Sequence, residues 1–188
     1  MNLLTDELRQ GFEIDGKFYP VNTDFRVWIE ILEALKDKTQ EGLIKALCLC
    51  YDTIPSDIEQ AISKMILFLS CENIQKKEKK EQKLYDLYED SELILSSFLM
   101  AYNLNLINEE MHWYVFCSLV SALPEDTPFS RAIYYRSVDL TEIKSKSKRQ
   151  FFRKMKKLYA LKSANKEVDA AFELGGAFEI ENSSREKD

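Results

Sequence analysis

Glycine and proline are both scarce in this chain, with five and four residues in 188. Strand-rich domains need turn-formers roughly every ten residues, so the shortage argues against a many-stranded sandwich or barrel and favours a few long helices. Histidine occurs once, at His112, which leaves His-dependent nucleophilic or general-base chemistry a single candidate. Long apolar runs are missing too. The longest, Met65-Ile66-Leu67-Phe68-Leu69, falls far short of the roughly 20 residues that cross a bilayer, so no membrane role is expected. The first residues, Met1 to Glu7, hold neither a basic cluster nor an apolar stretch, which predicts a chain without a signal peptide. The four cysteines (Cys48, Cys50, Cys71, Cys117) form no paired framework and lie in apolar segments, the pattern of reduced, buried thiols in a cytoplasm.

What is present fits a folded chain. Hydrophobic residues make up 45% and charged residues 31%, a balance that supports a core and excludes bulk disorder. The length suits one domain with tails. We expect a mainly α, compact multi-helix domain over residues 1–161 and a flexible tail over 162–188. Charge is unevenly spread. Lys144 to Lys157 holds eight basic residues and no acidic one, and with −6 overall and +8 here the rest of the chain carries −14. Such polarity invites an acidic partner, or self-association of opposite faces.

Along the chain, Gly11 to Ile14 and Lys17 to Val21 flank Asp15-Gly16, a dipeptide that accepts the positive φ angles of a type I′ turn, so a hairpin is predicted over about 11–21 with Ile14 opposite Lys17 and Phe12 opposite Tyr19. A helix follows, capped by Asn22 or Thr23, with Phe25, Trp28, Ile29, Leu32 and Leu35 on its apolar side. A second spans Gln40 to Tyr51, with Leu43, Ile44 and Leu47 inside. Ser56 and Glu59 have capping-box spacing for a third, striped by Ile58, Ile62, Met65, Ile66 and Leu69. Residues 72–83 are almost all polar and form a connection or a helix extension. Longer helices are expected over 84–102 and from Asn108 to Leu123. Thr127-Pro128 opens a short one to Arg136, and a basic helix runs from Ser145 to Ala160 with Phe151, Phe152, Met155, Leu158 and Tyr159 on its apolar side.

Little here supports catalysis, and no cofactor is implied. His112 shares a helical face with Val115, Phe116 and Leu119 and reads as a packed or hydrogen-bonded structural residue. Cys48-x-Cys50 lacks the two-residue gap of zinc or redox motifs. Gly175-Gly176 lacks the flanking pattern of a phosphate loop. Neighbouring carboxylates such as Glu89-Asp90 and Glu109-Glu110 point about 100° apart on a helix, so they read as a solvated face and a helix N-terminus. The basic helix is the feature that can work through charge. Its Lys and Arg residues with interleaved aromatics could contact nucleic acid, but the aromatics fall on the apolar stripe and the chain is acidic overall, so nucleic acid is disfavoured against an acidic protein surface or a merely solvated basic face.

Four strings, read in order, carry a family resemblance: Asp15-Gly16-Lys17-Phe18-Tyr19-Pro20-Val21-Asn22-Thr23-Asp24-Phe25-Arg26-Val27-Trp28; Met111-His112-Trp113-Tyr114 with Phe116, continuing through Leu123-Pro124-Glu125-Asp126-Thr127-Pro128-Phe129; Tyr135-Arg136-Ser137-Val138-Asp139-Leu140; and Lys154-Met155-Lys156-Lys157-Leu158-Tyr159-Ala160-Leu161. Over Phe12 to Leu161 the chain resembles the bacteriophage gene product fifteen family of long-tailed phages and prophages of Gram-positive bacteria. It departs at Tyr114, where the family pattern has a second Trp, and at Val115, where it has a basic residue. The resemblance implies a product of the tail-gene block, acting in the cytoplasm of the bacterial host as a tail-assembly chaperone that binds the tape-measure protein and other tail-assembly proteins, including tail-tube subunits. It carries over no catalytic motif. A structural tail component (a tube or baseplate connector) and a nucleic-acid-binding or host-directed regulator are the alternatives. Candidate partner contacts are Trp28, Trp113, Arg149, Arg153, Lys154, Lys156 and Lys157; for the two tryptophans, core packing is the rival reading.

Overall fold

The computed structural model describes residues 2–72 and 83–162. Among these, a two-stranded hairpin, β1 (Gly11–Ile14) and β2 (Lys17–Pro20), precedes seven helices: α1 (Phe25–Leu35), α2 (Gln40–Cys50), α3 (Ile58–Leu69), α4 (Ser91–Tyr102), α5 (Trp113–Ser121), α6 (Pro128–Ser137) and α7 (Lys146–Leu158). The expected mainly α fold with an N-terminal hairpin is what the chain adopts. Most of the polar connection at 72–83 and, after Lys162, the expected flexible tail lie outside the described residues. Where one helical domain over 1–161 was expected, the chain divides into two compact units. One holds residues up to 72 with Met111–Ser118; the other holds 83–110 and 119–162. No helix among the described residues is long and apolar enough to cross a membrane.

In the first unit, Asp15 and Gly16 take φ angles of 50° and 72° and set the expected register, with Ile14 beside Lys17 and Phe12 beside Tyr19. Phe12 and Ile14 are buried, and Phe12 meets the ring of Phe68 on α3 edge-on at 6.3 Å. The cap of α1 is Asp24, whose side chain accepts from Arg26 N at 2.8 Å; Asn22 instead accepts from Asp24 N, two residues too early to cap the helix. The buried face of α1 is Phe25, Trp28, Ile31 and Leu35, so Ile31 takes the place expected for Ile29 and Leu32. On α2, Ala46, Leu47 and Cys50 face inward while Ile44 is exposed. The α3 cap is Asp57, accepting from Gln60 N at 2.9 Å, one residue later than Ser56. Ile58, expected inside, is exposed, and the buried face is Ala61, Ile62, Met65 and Phe68. The chain returns at Met111–Trp113 through paired backbone bonds, Phe25 N to Met111 O (3.0 Å) and Trp113 N to Thr23 O (2.8 Å).

The second unit opens with a turn in place of the helix expected from residue 84. Asp86 Oδ1 accepts from Tyr88 N and Glu89 N, each at 2.9 Å, and this local carboxylate bonding outcompetes helix formation until Ser91. Asn103, in the left-handed conformation, ends α4. The helix expected from Asn108 begins only at Trp113, so Glu109-Glu110 precede it. Ser97, fully buried on α4, accepts from Phe129 N at 3.0 Å, joining α4 to the start of α6.

Candidate interaction surface

The two tryptophans belong to the core of the first unit. Trp28 is 0% and Trp113 3% exposed. Trp28 stacks on Phe68 at 4.5 Å and lies 6.3 Å from Trp113, and Phe25 stacks on Phe116 at 4.5 Å. Each indole N–H is satisfied internally: Trp28 donates to Asn22 O (2.7 Å) and Trp113 to Leu69 O (3.0 Å), the latter serving the last carbonyl of α3. Their surface is spent on packing, which removes both as direct partner contacts. His112 lies beside them. Its Nδ1 accepts from Tyr114 N at 3.1 Å and its Nε2 meets Arg9 O at 3.0 Å, a pairing that makes Nε2 the protonated nitrogen. Both ring nitrogens are therefore engaged in holding backbone.

The charged candidates sit together on α7, in the second unit. Ser145 caps this helix, and none of its residues is buried. Its inner side is a ring cluster shared with α6. Tyr135 stacks on Tyr159 (5.4 Å), meets Phe152 obliquely (6.3 Å) and Phe151 edge-on (6.4 Å), while Tyr134 approaches Phe152 edge-on at 6.2 Å. Three apolar side chains remain largely open: Phe151 at 51%, Leu158 at 69% and Tyr134 at 55% exposure. Phe151 and Leu158 are seven residues apart and so share one edge of the helix. The apolar stripe expected to pack inward is thus split, with Phe152, Met155 and Tyr159 half-buried and Phe151 and Leu158 outward.

The basic residues divide in the same way. Arg149 donates through Nε and Nη2 to Ile143 O (3.0 and 2.6 Å), and Lys156 Nζ donates to Val138 O (2.9 Å). Those two fasten the ends of the preceding loop. Arg153, Lys154 and Lys157 are exposed and make no ion pair among the described residues. The helix is electrostatically costly by itself. Arg149, Arg153 and Lys157 repel at four-residue spacing, and Lys146 and Lys148 crowd the positive end of the dipole, each such contact being unfavourable by several tenths of a kcal/mol. Lys156 and Lys157, in the last turn, are favoured by the negative end of the dipole, and an acidic counterpart would relieve the repulsion that remains.

What seats α7 escapes sequence reasoning. Arg136 on α6 is 6% exposed and forms a bidentate pair with Asp90, Nη1 to Oδ2 and Nη2 to Oδ1, both 2.7 Å. The same guanidinium donates to Leu84 O (3.0 Å) and to Tyr159 O just beyond α7 (2.5 Å). Asp90 Oδ2 also accepts from Asp86 N at 3.0 Å. Asp90 is therefore a buried anchor, in place of the solvated face read for Glu89-Asp90. Tyr134, the α6 contribution to the open surface, also went unnoticed, although its pairing with Tyr135 put two rings at the end of a short helix. Past α7 the chain is held by Leu161, 7% exposed, and by Lys162 N, which donates to Glu89 Oε2 at 2.7 Å.

Comparison with known proteins returned no match among curated proteins and none among solved structures. Residues 4–161, however, match the protein family described as Bacteriophage Gp15 protein, a range that contains all four strings noted in the sequence. That range is well over half of the chain, which therefore belongs to the bacteriophage Gp15 family and is a phage protein.

Proposed function

We propose that this chain is a tail-assembly chaperone that receives an acidic amphipathic helix of the tape-measure protein on the α6–α7 surface. The observation that carries the reading is α7 itself: a helix with no buried residue, open at Phe151 and Leu158, with Arg153, Lys154 and Lys157 alongside. Helix-in-groove recognition uses such an apolar strip for affinity and flanking charges for orientation. A tape-measure chain is long and helical, so a dedicated binder that shields its apolar faces suits the tail-gene setting which the family resemblance implies. Tail-tube subunits are the second partner class, and head-to-tail association of several copies along the rod fits the uneven charge.

Co-expression with the tape-measure protein of the same phage, followed by affinity capture and mass spectrometry, tests this. A tape-measure protein that is soluble and captured only when this chain is present supports the proposal. Equal insolubility with and without it overturns the proposal and favours a structural tail component, which purified virions would contain in stoichiometric amount. The basic face favours one further reading, nucleic-acid binding, for which a salt-sensitive mobility shift with DNA or RNA is the required sign.

A further inference from the structure

The end of α3 and the start of α5, both in the first unit, bring two thiols together. Cys71 follows α3 in the left-handed conformation (φ 52°), with its N–H bonded to Phe68 O at 2.9 Å and the Glu72 N–H bonded to Leu67 O at 3.0 Å. Glycine is the usual occupant of that position in a helix-ending turn, so cysteine is a disfavoured choice for the backbone alone. On the other side, the Trp113 indole holds Leu69 O, and Cys117 stands four residues further along α5, one turn on along the same face. The two side chains meet there, and the Cys117 S–H donates to the Cys71 sulfur. This bond lowers the Cys71 thiol below its ordinary pKa, outweighing burial and the Glu72 carboxylate, which pull the other way; the same bond, then burial, raises Cys117. Cys71 is thus the more readily ionised of the two. Both are partly exposed, within reach of a small reagent.

We propose that Cys71 and Cys117 are a redox-responsive pair, which a small-molecule disulfide such as glutathione disulfide oxidises to an intramolecular disulfide that pins α5 to the end of α3. The Cys71 thiolate attacks one sulfur of glutathione disulfide, forming a mixed disulfide and expelling one glutathione thiolate. Cys117 gives up its proton and attacks the Cys71 sulfur, expelling the second glutathione. Two protein thiols lose two electrons, one glutathione disulfide gains them, and the two thiol protons end on two glutathione sulfurs. The new bond closes a loop over the 45 residues from Glu72 to Phe116, which limits the freedom of the unfolded chain. Neither thiol belongs to the α6–α7 surface, so this chemistry holds or fails whatever partner binds there.

The test equilibrates the reduced full-length protein with glutathione disulfide, blocks the remaining thiols with N-ethylmaleimide and maps the products by non-reducing peptide mass spectrometry. The expected product is a monomer with Cys71 joined to Cys117, while exposed Cys48 carries at most a glutathione and buried Cys50 stays a thiol. Cys117→Ser keeps a hydroxyl donor for Cys71 and should trap the mixed disulfide of Cys71 with glutathione. In Cys71→Ser, Cys117 should react at least about tenfold more slowly than Cys71 does in Cys117→Ser. Oxidation of the wild type should raise the thermal midpoint read by indole fluorescence by about 5 °C or more, reversibly with dithiothreitol, and leave Cys71→Ser/Cys117→Ser unmoved. Glutathione on both cysteines without a link, links only between chains, or both thiols intact while Cys48 is modified each overturn the proposal. An unmoved midpoint in the linked protein overturns the pinning of α5, and equal rates in the two single variants overturn Cys71 as the attacking thiol.

Discussion

A guanidinium that is 6% exposed must find partners for its donors or it would destabilise the fold that contains it, and Arg136 finds Asp90, Leu84 and Tyr159. Removing one partner of such a pair leaves the other charge buried alone, so Arg136→Ala should cost about 3–5 kcal/mol. Arg136→Lys should recover only part of this, because an ammonium cannot make two parallel bonds to one carboxylate. Urea unfolding followed by circular dichroism measures both; a loss below about 1 kcal/mol for Arg136→Ala would show that the pair carries no net stability. Nothing local announces this pairing: Asp90 and Arg136 are 46 positions apart, and Asp90 beside Glu89 has the composition of a wet helix face. The cysteines depart from the expectation of four buried thiols: Cys50 alone is buried, Cys48 is exposed, and Cys71 and Cys117 are only partly covered. The buried Cys50 thiol is pushed from 9.0 up to about 12 by desolvation, whereas Cys48 is exposed on the same helix. A raised acid pKa adds stability that is complete below pH 9, where both states keep the proton. It declines as pH climbs from 9 toward 12, where only the unfolded chain has released it. Iodoacetamide at pH 8 should accordingly label Cys48 in the native protein and reach Cys50 only after unfolding, read by peptide mass spectrometry; equal labelling of the two would contradict the burial.

At the scale of elements, α1 and α2 come close together at Gly42. A Cβ added at Gly42 would lie 2.2 Å from the Ala34 carbonyl oxygen, a backbone atom that cannot turn aside. Helix propensity alone favours Gly42→Ala by about 1 kcal/mol. The clash should outweigh it and leave a net loss of about 1–2 kcal/mol, within the range for overpacked sites. Thermal unfolding of the variant settles the sign, and a stabilised variant would mean that the corner has slack. The elements also show where local pattern suffices. The hairpin register was readable because Asp15-Gly16 dictates a two-residue turn, and once the turn is fixed every pair follows. Helix starts were readable only to a residue or two. Where Asn22, Thr23 and Asp24 all can cap, or Ser56 and Asp57, the winner is set by which register buries the best stripe, a tertiary choice. The late start of α4 has the same character, since Asp86 decides it by bonding to two backbone amides ahead of the apolar run.

For the whole molecule, the division into units was hidden because Met111–Ser118 joins a unit whose other described residues lie about forty to a hundred positions earlier, through bonds such as Trp113 N to Thr23 O that no periodicity encodes. Both tryptophans lie in that unit, so indole fluorescence reports on it and circular dichroism on both. The pair of probes makes the decisive test of the basic face interpretable. Arg153→Glu/Lys154→Glu/Lys157→Glu reverses the three exposed charges and leaves Arg149 and Lys156, which hold Ile143 and Val138, untouched. Reversal exchanges one like-charge repulsion for another and sets the lost dipole contact of Lys157 against a new attraction between position 153 and Arg149, so both unfolding transitions should stay close to where they were. If the face meets an acidic helix, each reversal turns an attraction worth up to about 1 kcal/mol into a repulsion, and capture of the tape-measure protein should fall by more than about tenfold. Wild-type capture should fall in parallel as ionic strength rises through the range where surface charges are screened. Full capture by a folded triple variant would move the contact off α7 while leaving open a chaperone that binds elsewhere. Lost capture with both transitions intact would assign the contact to this helix, and would explain why a chain of net charge −6 gathers eight cations in fourteen residues despite their mutual repulsion.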